Sequence, residues 1–162
     1  AEPLLMLKKV KSSSVSAAGH AFAIVASKYN RKFVDGMLRA ARAELKASGA
    51  SLIKVVRVPG AFEIPAVAAV LAASKEPNYA AVICLGVILQ GETTHADHIG
   101  QSITHAFANL QIQSQKPIVH ETLQFSNVEQ ARVRCLGKEH NRGAEAAQTA
   151  IEMAKVMRSL KV

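Results

Sequence analysis

One short stretch, Glu92-Thr93-Thr94-His95-Ala96-Asp97-His98, crowds hydroxyls, carboxylates and imidazoles together. An imidazole titrates near neutrality and is the side chain best suited to pass protons there. Bare N–H groups at a helix start attract anions. His95 and His98, spaced i and i+3, would let one helical turn offer two nitrogens to a metal. A polar helix start, with Thr94 as N-cap and Asp97 three residues on as an imperfect capping box, accounts for the same residues without a metal and is preferred.

Three further groups carry chemistry. Val58-Pro59-Gly60-Ala61-Phe62-Glu63-Ile64-Pro65 sets an aromatic beside a carboxylate. Phe62 can line a flat ring, and Glu63 can accept from N–H or O–H groups. Ser27-Lys28-Tyr29-Asn30 offers a second aromatic, able to stack on a planar heterocycle. Arg134 and Lys138, near Gly137, Asn141, Arg142 and Gly143, form a basic segment that suits a phosphate. Each has a plainer alternative: a strand-to-helix turn, a packed turn residue and a solvated basic face.

The elements that must position these groups are legible in the apolar pattern. Ala21–Ser27, Leu52–Val58, Ala80–Gly86 and Pro117–Leu123 read as strands. Val34, Leu38, Ala41 and Leu45 follow the first strand at helical spacing, with Gly49 as the stop. Ile64–Ala73 reads as a helix with Pro65 in its first turn, where a missing N–H costs little. Asp97–Leu110, Val128–Leu136 and Ala144–Leu160 read as the remaining helices. Strands alternating with helices predict an α/β domain with a four-stranded parallel sheet covered on both faces. All four groups then sit after strands, and open α/β sheets bind ligands at the carboxyl ends of their strands.

The 162 residues fit one domain, and a hydrophobic fraction of 49% supplies a core. Residues 1–20 read as an arm, with Leu4–Leu7 as a strand able to join a neighbouring subunit and a serine-rich link behind it; residues 21–162 form the α/β domain. Ala1-Glu2-Pro3 lacks an initiator Met and a signal-peptide pattern and reads as a trimmed or a processed start. The net charge of +8 is spread along the chain without a nucleic-acid reading motif. No apolar run is long enough to cross a bilayer. Cys84 and Cys135 form no CxxC pair, which points to a reducing compartment. Nucleotide-binding GxGxxG and GxxxxGK[ST] motifs and the GxSxG of hydrolases are all missing.

Taken together, Val58–Pro65, Leu85-Gly86 with Gly91–His95, and Lys138–Ala147 with Ile151-Glu152-Met153 resemble the lumazine synthase family in order and identity. The likeness runs from about Ala21 to the C-terminus. It implies a flavodoxin-like three-layer α/β/α sandwich and the condensation of 5-amino-6-(D-ribitylamino)uracil with 3,4-dihydroxy-2-butanone 4-phosphate. The products are 6,7-dimethyl-8-ribityllumazine, phosphate and water. The resemblance assigns Tyr29, Asn30, Ala61, Phe62, Glu63, Val87, Ile88, Leu89 and His120 to the ribityl-uracil. It assigns Glu92, Thr93, Arg134 and Lys138 to the butanone phosphate, and His95 to proton transfer. It implies no metal or organic cofactor, and a cytoplasmic homo-oligomer: a pentamer, in some members a 60-subunit shell, with sites between subunits. Association with riboflavin synthase is a further partner it implies. The chain departs from the family pattern at His120, where Phe is common, at Glu121, where Gly is usual, and at Gln90, Glu92 and Tyr29. The departures at His120 and Glu121 keep a second reading open, a non-catalytic flavin- or lumazine-binding relative.

Overall fold

The computed structural model describes residues 9–11 and 14–161. The Leu4–Leu7 strand expected in the arm lies outside them. Four strands form one sheet: β1 (Ala21–Ser27), β2 (Leu52–Val58), β3 (Tyr79–Leu89) and β4 (Ile118–Phe125). Their order is β2-β1-β3-β4, and every pairing is parallel. Five helices cover the sheet: α1 (Arg31–Ala47), α2 (Ile64–Ala73), α3 (His95–Ser114), α4 (Val128–Leu136) and α5 (Arg142–Ser159).

The two central strands are apolar along their length because both faces are covered. Alternate β1 residues feed two separate cores. Phe22, Ile24 and Ala26 pack under α1, α4 and α5. Ala23 and Val25 pack under α2 and α3 with Ile64, Ile103 and Phe107. The three-layer sandwich expected from the alternating pattern is the observed fold. Helix α1 buries Phe33, Val34, Met37, Leu38, Ala41 and Leu45, a 3.6-residue stripe. Helix α5 buries Ala146, Ala147, Ala150 and Ala154, so its backbone lies close to its neighbours. The approach is closest at Gly143, where a Cβ would fall 2.0 Å from the Met37 carbonyl oxygen of α1. Buried Asn141 fixes that corner. Its Oδ1 accepts from the Gly143 and Ala144 N–H groups, and its Nδ2 donates to the Cys135 carbonyl.

Several boundaries differ from the sequence pattern; α3 ends at Ser114 rather than Leu110 and β4 at Phe125 rather than Leu123. Strand β3 runs past Gly86 through Leu89, because Val87, Ile88 and Leu89 still pair with Leu123, Gln124 and Phe125 of β4. Helix α3 begins at His95 rather than Asp97, and α5 at Arg142 rather than Ala144. The expected link before β1 is anchored at its end: Ala17 is fully buried, and Ala18 forms an antiparallel bridge with Ala50.

Candidate active site

In the strand order β2-β1-β3-β4 the connections leave β1 and β3 in opposite directions, α1 on one face and α3 on the other. The loops part there and open a crevice at the carboxyl ends of both strands. A cavity of about 450 Å³ occupies it, lined by Tyr29, Phe62, Glu63, Val87, Ile88 and His95, with Gly60, Ala61 and Ile99. That volume suits a small molecule.

Each wall is set by local structure. The turn after β1 is tied to its neighbours: Lys28 and Tyr29 N–H groups donate to the Val58 and Pro59 carbonyls. Asn30 adopts a left-handed backbone (φ 55°), which asparagine tolerates, and its Nδ2 donates to the Val87 carbonyl at 2.8 Å. Asn30 therefore latches β1 to β3 and leaves Tyr29 pointing outward, 74% exposed. After β2 the chain makes a single 3-10 turn, Ala61–Glu63, which carries Phe62 out to 64% exposure. The Glu63 carboxylate folds back to accept from the Gly60 N–H at 3.1 Å. Below these loops Gly86 permits the layers to meet, since a Cβ there would fall 2.8 Å from Thr122 Cγ2 and 3.1 Å from Ile64 Cδ1.

The β3–α3 turn delivers His95. Thr94 occupies the N-cap position without a side-chain capping bond; its Oγ1 instead meets His98 Nε2 at 3.3 Å. Asp97 does not complete the expected capping box, because its carboxylate accepts from Gln124 Nε2 of β4. Among the described residues no group of three or more His, Cys, Asp or Glu could hold a metal ion.

The structure thus gathers Tyr29, Ala61, Phe62, Glu63, Val87, Ile88 and His95 around one cavity, with Asn30 latched to Val87 beneath it. Leu89, Glu92 and Thr93 lie on the adjoining strand end and exposed turn but do not line it. Gly60 and Ile99 are lining residues that the sequence reading missed. Ile99 was accessible to it: four residues after His95 on a helix, it shares the same face.

His120, Arg134 and Lys138 stand elsewhere on the chain. His120 lines a separate cavity of about 510 Å³ between α3 and the outer edge of β4, with Thr104, Thr122 and Gln124. Its tautomer follows from its partners. Thr104 Oγ1 donates to the Gly100 carbonyl at 2.7 Å, so it must accept from His120 Nε2–H at 2.9 Å. Nδ1 in turn accepts from the Thr122 N–H at 3.2 Å. Burial lowers the His120 pKa, and both bonds hold the neutral ring against Phe107, centroids 4.9 Å apart. Arg134 is half-buried on α4. Lys138 is exposed after α4, beside Lys32 and Arg39 in a basic groove. Glu121, one residue beyond His120 and on the opposite sheet face, is buried against Arg142, with contacts of 3.3 and 3.4 Å.

A parallel α/β sandwich with a small-molecule cavity at its topological switch point is the architecture of a ligand-handling α/β enzyme. The sequence profile of 6,7-dimethyl-8-ribityllumazine synthase matches residues 19–158. Proteins described as 6,7-dimethyl-8-ribityllumazine synthase from Clostridium kluyveri and Aquifex aeolicus are each 37% identical over 155 residues, 94% of this chain and 99% of theirs. One from Desulfotalea psychrophila is 39% identical over 150 residues, 91% of this chain and 96% of its own. The chain belongs to the 6,7-dimethyl-8-ribityllumazine synthase family, enzymes that carry out the lumazine synthase reaction of riboflavin biosynthesis. No helix among the described residues is long and apolar enough to cross a membrane.

Proposed function

We propose that the cavity between β1 and β3 binds the ribityl-uracil substrate of the condensation and that a second subunit completes the site. The observation that carries this reading is a mismatch. The cavity has ring-stacking, hydroxyl-binding and proton-transfer groups in Tyr29, Phe62, Glu63 and His95, yet no Lys or Arg among the described residues that line it. The second substrate carries a phosphate ester, which requires a cation. Arg134 sits on α4 and Lys138 just after it, and neither lines the cavity on its own chain, so a neighbouring copy is the source that fits. In this reading Tyr29 stacks on the pyrimidine, Glu63 accepts from ribityl hydroxyls, and Val87, Ile88 and Leu89 offer backbone groups to the ring. The phosphate sits by Glu92 and Thr93 at the start of α3, held by Arg134 and Lys138 of the neighbour, whose His120 covers the heterocycle. The substrate amine adds to the ketone, water and phosphate leave, and the ring closes; His95 carries protons between these steps. Holding two reactants together supplies most of the acceleration. Residues 21–162 are then the catalytic domain, and residues 1–20 an arm toward a neighbour in a cytoplasmic homo-oligomer such as a pentamer or shell.

The test is to mix purified protein with both substrates and follow the lumazine by absorbance and fluorescence above the spontaneous rate. Arg134→Ala should raise KM for the butanone phosphate by about 10–100-fold, the loss of a charge-assisted bond. Co-assembled His95→Ala and Arg134→Ala chains should regain activity, because about a quarter of randomly paired sites combine two intact halves. Mixed assemblies no more active than either variant would exclude a shared site. A folded, assembled protein that binds the ribityl-uracil without accelerating the reaction would favour the non-catalytic relative.

A further inference from the structure

At the other end of the sheet, where the strands begin, lies a cavity of about 370 Å³ that the reaction does not use. Along β1 it is roughly 20 Å from the candidate active site. It is framed by His20 before β1, Asn78 before β3, Gln115 and Lys116 after α3, and Arg158 and Lys161 at the end of α5. Among the described residues that line it there is no carboxylate side chain. Lys116 is held in place, its Nζ donating to Asn78 Oδ1 and to the Tyr79 carbonyl, both at 2.5 Å. Among the described residues, none of His20, Lys116, Arg158 and Lys161 takes part in an ion pair. The cations repel one another. The His20 pKa is lowered by burial and then by Arg158 and Lys161, and that of Lys116 by burial and then by Lys161.

Cations at helix C-termini ordinarily answer the helix dipole, and α3 and α5 both end here. Each terminus carries a charge of about −0.5, so the two offset roughly one of the three permanent charges. About two positive charges are left in the cleft without an anionic partner among the described residues. We propose that this cleft binds a phosphate dianion, either free orthophosphate or the phosphate of a small monoester. Arg158 supplies parallel N–H donors, Lys161 a mobile charge and Lys116 a fixed one, and His20 gains a proton-sharing partner when the anion enters.

The experiment is equilibrium dialysis of the assembled protein against labelled orthophosphate and, separately, glycerol 3-phosphate. Arg134→Ala serves as the background because it removes one of the two cations proposed to hold phosphate in the active site, and the response to Arg158 and Lys161 then separates the cleft from what remains there. One site per chain should remain in Arg134→Ala. Adding Arg158→Ala and Lys161→Ala, both exposed and so harmless to folding, should weaken that site at least about tenfold. Tighter binding of glycerol 3-phosphate would identify a monoester site, and equal or weaker binding an orthophosphate site. No binding in Arg134→Ala, or binding indifferent to the Arg158 and Lys161 substitutions, would overturn the proposal. Lumazine formation by the Arg158→Ala/Lys161→Ala protein at the parent rate would show that this site and the catalytic reading stand or fall separately.

Discussion

Glu121→Gln should remove a pH dependence from the stability of this protein. Glu121 is 7% exposed on β4, and its contacts to Arg142 are long for a charge-assisted pair. Burial dominates: it outweighs the Arg142 guanidinium, Glu145 adds a like charge, and the carboxyl is pushed up from 4.5 to about 7. A raised carboxyl pKa means that the folded state holds the proton while the unfolded chain has released it. Below pH 4.5 both states are protonated, and burial carries no ionic penalty. As pH rises through 4.5 toward 7 only the unfolded chain ionises, and stability falls; above 7 the loss is complete. The interval corresponds to about 3 kcal/mol. Gln keeps the shape of the protonated carboxyl but cannot ionise. Urea unfolding of parent and variant at fixed protein concentration, from pH 4 to 9, should show the variant gaining on the parent by up to about 3 kcal/mol, with the whole change between pH 4.5 and 7. A difference that stays constant with pH, or that favours the parent at pH 8, would refute the argument and make the Arg142 pair a net stabiliser.

Other substitutions test other parts of the account. The Ser27 hydroxyl is buried without a hydrogen-bond partner among the described residues, so Ser27→Ala should be neutral or stabilising by up to about 1 kcal/mol; a lowered melting temperature would mean that the hydroxyl is satisfied. Gly143→Ala drives a Cβ to 2.0 Å from the Met37 carbonyl and should cost upwards of about 3 kcal/mol. Gly91→Ala, with nothing within 4 Å, should leave the melt unchanged. His95→Ala should slow lumazine formation by no more than about 10²–10⁴-fold and still exceed the spontaneous rate; loss of all acceleration from a folded assembly would give His95 more than proton transfer.

Most of the fold was legible because the helix and strand periods were clean. Leu52–Val58 and Ile64–Ala73 fall where the pattern put them, and Pro65 and Gly49 mark helix ends as their chemistry requires. The end of β3 was obscured because Val87-Ile88-Leu89 reads equally as strand or as an apolar loop; what decides it is pairing with β4, a long-range fact. The site was legible where its residues directly follow strands, as Tyr29, Phe62, Glu63 and His95 do. It was not legible where the placement of a side chain depends on tertiary partners. Nothing local shows that Thr104 and Thr122 fix the His120 ring, that Asp97 is drawn away to Gln124, or that Asn30 fastens β1 to β3. The basic cleft escaped notice because His20, Lys116, Arg158 and Lys161 are scattered along the chain and meet only when the strand starts and helix ends converge.

The alanines of α5 carry a consequence for how such a protein can change. An alanine has no rotamers to freeze, so these four buried positions are ordered at almost no side-chain entropy cost. The same economy leaves nothing to rearrange. Beneath the sheet, Ala146, Ala147, Ala150 and Ala154 offer no side chain that could swing aside or grow toward a new ligand without forcing backbones apart. New specificity on this scaffold has to be written in the three loops above the strands, while the layer below remains a fixed foundation.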